Sequence, residues 1–108
     1  MNSTETLFYS TLGDDPDLGD LVEMFVDEIP DRIQSLEDQG SSKDWPALAV
    51  TAHQIKGAAG SYGFEQIYPY AAELEQAARS ESSEDSILQS LEALVDICSR
   101  LRAGTPVS

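Results

Sequence analysis

The sequence predicts an all-α fold: an antiparallel up-down four-helix bundle with a short extra N-terminal helical segment. Three observations lead there. Apolar residues recur at spacings of three and four in four successive stretches, which is helical periodicity. Short breaks rich in Gly, Ser, Asp and Pro separate those stretches, so neighbouring helices must run antiparallel. No stretch shows strand alternation bounded by turns.

The elements follow in order. Residues 1–16 form an N-terminal segment, partly ordered, in which Leu7, Phe8, Tyr9 and Leu12 can dock as a short helix. Asp15-Pro16 reads as a helix start, with Asp as N-cap and Pro at the first position. The bundle spans residues 17–102. Its first apolar face runs Leu18, Leu21, Val22, Phe25, Val26 and Ile29. Pro30 either kinks one long helix or opens a second. Ile33 and Leu36 continue the pattern, and Gly40-Ser41-Ser42 ends it. Asp44 caps the next helix, with Pro46 in its first turn. A third helix begins between Glu65 and Tyr68, with apolar positions Ile67, Tyr70, Ala71, Leu74, Ala77 and Ala78. Ser82 or Ser83 caps the last one, whose seam is Ile87, Leu91, Leu94, Cys98 and Leu101. Residues 103–108 read as a flexible tail.

A length of 108 residues fits one domain with one modest core. The formal charge of -14 repels nucleic acid and anionic lipid, so neither is expected as a partner. There is no transmembrane run and no signal-peptide pattern, and the single cysteine fits a reducing cytoplasm. Cys98 lies in the core seam and reads as structural.

The second helix carries the only histidine. Leu48, Ala52, Ile55, Ala59 and Tyr62 share its apolar face. His53 sits about 100° from Ala52 and about 200° from Ile55, so it points away from the core. Gly57 and Gly60 lie along its stripe, and each costs about 1 kcal/mol relative to alanine in a helix. They either let a neighbouring helix approach or clear room for a partner to reach His53. The functional reading is the stronger for Gly57, and both stand for Gly60.

One His and one Cys, without HExxH or CxxC, do not make a metal centre. No Walker or kinase glycine loop is present. A solitary, accessible imidazole can instead accept a phosphoryl group on a neutral ring nitrogen. Lys56, one turn along, is in reach to offset phosphoryl charge. If the second and third helices pack antiparallel about Phe64, His53, eleven residues before it, comes level with Glu75, eleven after. Glu75 then accepts a hydrogen bond from Nδ1 of His53 and leaves Nε2 outward; the alternative is a solvated glutamate. Leu21 and Met24 on the first helix are candidates for a docking patch, with core packing the alternative for Leu21.

The stretch Ala52-His53-Gln54-Ile55-Lys56-Gly57-Ala58-Ala59-Gly60-Ser61-Tyr62-Gly63 resembles the A-H-x-L-K-G-x-A-x-x-x-G signature of histidine phosphotransfer (HPt) domains, with isoleucine for the usual leucine. Glu28–Arg32, Lys43-Asp44-Trp45 and Glu73–Arg79 resemble further family segments. The resemblance implies a monomeric phosphorelay intermediate without an ATP-binding or catalytic domain of its own. Its partners would be response-regulator receiver domains, a hybrid sensor histidine kinase, or both. No cofactor is expected on this chain, since Mg²⁺ would belong to the receiver. The position level with the histidine is often glutamine in relay domains and glutamate in chemotaxis-type kinases, so Glu75 leaves the subtype open. The alternative function is a helical docking module of the same fold whose histidine is never phosphorylated.

Overall fold

Four helices follow one another in the computed structural model, which describes residues 7–80 and 82–104. They are α1 (Gly19–Ser41), α2 (Trp45–Ser61), α3 (Tyr68–Arg79) and α4 (Glu84–Cys98). Each packs on its neighbour in the chain, and α4 closes on α1. The bundle is therefore a square, with the α2/α3 edge opposite the α1/α4 edge. No helix among the described residues is long and apolar enough to cross a membrane.

The helix ends are set by local chemistry. Oδ1 of Asp15 accepts from the N–H groups of Asp17 and Leu18 at 2.8 and 2.9 Å, and its carbonyl accepts from Gly19 N–H at 2.8 Å. The capped turn thus lies where Asp15-Pro16 predicts it, one turn before the continuous helix. Pro30 does not open a second helix. It sits inside α1, and its missing N–H leaves the Val26 carbonyl without its helical donor. After α1, Lys43 takes the left-handed conformation, φ 58°, and Asp44 N–H reaches back to the Gln39 carbonyl at 3.0 Å. Gly40 is not the stop residue. It is buried, and a Cβ there would lie 2.5 Å from Cδ2 of Leu91, so it lets α1 and α4 approach.

Asp44 caps α2 by accepting from Ala47 N–H at 3.2 Å, and Ser83 caps α4 by accepting from Ser86 N–H at 3.2 Å. Gly63 ends the α2 turn at φ 79°, with Phe64 N–H bonded to the Ala59 carbonyl at 3.0 Å. The core is built from Val22, Phe25, Ile29 and Leu36 of α1 against Leu48, Ile55, Leu74, Ile87 and Leu94. Of the apolar positions expected on α3, Tyr70 is left exposed. Phe25 stacks in tilted fashion on Tyr62 and Phe64, centroids 5.5 and 5.7 Å apart. Cys98 is buried in that core, and burial pushes its thiol pKa up to about 12. It is an inert packing group.

One expectation is corrected. The N-terminal segment is not helical where described. Phe8–Tyr9 forms a strand, β1, paired parallel with β2, Leu101–Arg102. The chain leaves helix at Cys98, so Leu101 is buried as a strand residue rather than as the last helical one. Phe8 and Leu12 still pack on the core, as a docked segment should. Its hydrogen bonds explain why it is extended. Phe8 N–H donates to the Arg100 carbonyl at 2.9 Å, Thr11 N–H to the Gly63 carbonyl at 3.1 Å, and the Ser10 hydroxyl to the Tyr62 carbonyl. An extended backbone thereby satisfies the α2 C-terminus. Residues 1–6 and, of the expected tail, 105–108 lie outside the described residues.

Candidate functional site

The outer face of α2 is made by Pro46, Val50, His53, Gln54, Gly57, Gly60 and Ser61, all exposed. This is one helical stripe, opposite the buried Leu48, Ala52, Ile55 and Ala59. His53 stands on it with its side chain 58% exposed. A Cβ at Gly57 or at Gly60 would meet nothing within 4 Å. Neither glycine therefore packs against a neighbouring helix. Each leaves bare helix backbone beside the imidazole. Gly57→Ala is expected to raise stability by about 0.5–1 kcal/mol, because alanine is the better helix former and the space is open. Chemical denaturation checks it.

Glu75 is brought to His53 by the α2/α3 packing. It follows the buried Leu74 on α3 and lies between Ala71 and Ala78, both turned inward. Its side chain is only 9% exposed. Oε2 lies 3.0 Å from Nδ1 of His53, the contact that antiparallel registry about Phe64 predicts. The solvated-glutamate alternative is excluded by this burial. Burying a carboxylate costs several kcal/mol unless it is paired, and here the pairing is dense. Lys56 Nζ lies 2.7 Å from Oε1, and Arg79 Nε donates to Oε2 at 2.8 Å. The Lys56 contact is an ion pair rather than an aligned hydrogen bond. Lys56 first, then His53 and Arg79, overcome the opposing effect of burial and hold the Glu75 pKa down to about 2.

With its proton on Nδ1, the ring presents Nε2 as a free lone pair on the exposed side. Lys56 is 24% exposed and rests against Glu75, so its ammonium anchors the carboxylate that holds the ring. Arg79 is the residue that periodicity does not single out. It stands one turn beyond Glu75, the i,i+4 spacing of a helical ion pair, and that spacing is the signal that finds it.

Leu21 and Met24 of α1 are 40% and 56% exposed, so Leu21 is not a core residue. With Phe25, Glu28, Arg32, Ala58, Ser61 and Tyr62 they line a small groove of mixed polarity between α1 and the end of α2, of about 180 Å³. It adjoins the stripe that bears Gly57 and Gly60. The site is thus an accessible imidazole, aimed by a buried carboxylate, beside a bare backbone and a small groove. No group of three or more His, Cys, Asp or Glu side chains that could hold a metal ion occurs among the described residues.

Among known proteins, no curated protein and no solved structure matches the chain. The family model of the Hpt domain does match, over residues 20–104, which takes in all four helices and every site residue just described. The chain belongs to the Hpt domain family, the histidine phosphotransfer modules of two-component phosphorelays.

Proposed function

We propose that this chain is a phosphorelay intermediate in which His53 takes a phosphoryl group from the phosphoaspartate of a receiver domain, or from a kinase, and passes it to another receiver aspartate. The observation that carries the proposal is the 3.0 Å contact of Nδ1 with Glu75 beneath an exposed ring. Neutral His53 keeps its proton on Nδ1, against Glu75. Nε2 attacks phosphorus in line; the N–P bond forms as the acyl P–O bond breaks, and the receiver carboxylate leaves with the electron pair. No proton has to move. The phosphorylated ring is cationic, and Glu75 stabilises that charge through Nδ1–H. Lys56 lies one turn from the ring, where its positive charge also offsets the negative charge of the phosphoryl group. The reverse step returns the group to an aspartate.

Gly57 and Gly60 admit the receiver, and Leu21 and Met24 give it an apolar footing. Mg²⁺ and the acceptor carboxylate belong to that receiver. We take the chain to act as a monomeric phosphocarrier in the cytoplasm. In the test, a receiver domain loaded with a small phosphodonor and Mg²⁺ is mixed with this protein. Phosphate that is labile in acid and stable in base should appear on it, and the receiver should lose its own. Binding of phosphorylated receivers with no label transferred, across the receivers of the source organism, leaves only a docking module and overturns the proposal.

A further inference from the structure

The edge of the bundle remote from His53 carries a second surface. Between α1 and α4 lies an open cleft of about 810 Å³, floored by Leu88, Leu91 and Val95. Beyond it, a further, mainly apolar hollow of about 500 Å³ is lined by Val26, Pro30, Ile33, Cys98 and one cation, Arg102. Ser99 borders both, so the two adjoin along the helix pair. The α1 wall extends from Val26 to Ser41, about 22 Å at the helical rise per residue. Gly40 deepens it, because Leu91 sits where a side chain would otherwise stand.

The walls are acidic. Glu37, Glu84, Glu92 and Asp96 line the cleft. Lys43 is engaged by Glu84 at 3.2 Å, and Arg100 by Asp96 at 2.8 Å. Glu37 and Glu92 form no ion pair among the described residues. At the apolar end, Arg102 is engaged by the Ser99 and Leu101 carbonyls. An apolar floor about four helical turns long, with anionic walls, fits an amphipathic helix with Lys or Arg beside its apolar stripe. A second copy of this chain does not fit, since it would set the same carboxylates against themselves.

We infer that the α1/α4 groove is a docking site for a basic amphipathic helix of a partner protein. It lies on the opposite edge from His53, so that helix and a receiver can be held at once. The groove would tether the phosphocarrier to the protein bearing the helix and leave the imidazole free.

The experiment uses the full chain and a synthetic 16-residue helix, on the order of four turns, with leucines at i, i+3 or i+4 and i+7 flanked by lysines. Its control is a scrambled peptide of identical composition. Titration is followed by backbone amide NMR and by fluorescence anisotropy at physiological salt. The ordered peptide should bind about tenfold or more tightly than the scrambled one, with shifts confined to α1 and α4. Glu37→Gln with Glu92→Gln, both on the surface, should weaken it about three- to tenfold and flatten its salt dependence. Equal binding of the scrambled peptide, shifts centred on α2 and α3, or a concentration-dependent dimer seated on these residues each overturns the inference.

Discussion

His53→Gln is expected to abolish phosphoryl acceptance while leaving the bundle folded. An amide nitrogen has its lone pair delocalised and is no nucleophile, so the loss should be complete within detection, at least on the order of 10³-fold. The fold should barely register the change. The ring is more than half exposed, and glutamine can still donate to Glu75. Stability is expected to fall by no more than about 1 kcal/mol, the worth of one hydrogen bond. Radiolabel transfer from a phosphorylated receiver measures the first effect and urea unfolding the second. Label retained by the variant would place the phosphoryl group on another residue. Receiver affinity should stay close to wild type, because the proposed docking uses Leu21, Met24 and the open helix backbone.

Glu75 has the second large effect, and it has two readouts. Glu75→Ala removes the acceptor that fixes the tautomer, so transfer should slow by roughly 10- to 100-fold, the usual cost of losing the group that orients a functional histidine. Glu75→Gln keeps an acceptor oxygen for Nδ1 and should slow transfer less. An unchanged rate in Glu75→Ala removes the orienting role. The other readout is acid stability. The folded pKa of Glu75 is about 2, well below its ordinary 4.5. A depressed carboxylate stabilises the fold above its unfolded pKa, and that stability is lost as pH falls through the folded one. The window is therefore pH 4.5 down to about 2. The shift sets an upper bound of about 3 kcal/mol on this contribution to stability. The chain carries a formal charge of -14, so protonating its other carboxylates relieves repulsion and acts the opposite way. The informative quantity is the wild-type minus Glu75→Gln difference in unfolding free energy, which should shrink across that window. A difference independent of pH contradicts the assignment.

Much of the site is legible in the sequence because helical geometry makes it so. Threes and fours place Ile55 inside and His53 outside without any structure. Antiparallel registry about Phe64 then brings Glu75 level with His53, eleven residues on either side. Arg79 escapes apolar periodicity, and only its i,i+4 spacing from Glu75 points to it. The roles of the glycines separate only in three dimensions. Gly40 packs against Leu91, Gly63 ends a helix at positive φ, and Gly57 and Gly60 face open space. The strand pair is illegible for a different reason. Two residues cannot show alternation, and their partners lie almost a whole chain away. The α1/α4 groove is hidden too, because half-buried Val26, Ile33, Leu88 and Val95 read like core positions in any periodic pattern.

The two short strands also order events in time. The helices pack neighbours close in sequence, which closes small loops quickly, whereas Phe8 and Leu101 can meet only after almost the entire chain has been gathered. The ribbon is therefore expected to form late and to open early. Opening releases Ser10 and Thr11 from the Tyr62 and Gly63 carbonyls at the end of α2. Amide exchange at Thr11 should run ahead of exchange at Ile55 in the core of that helix, marking a local motion that starts at the strand pair and reaches the C-terminal end of the helix that bears His53.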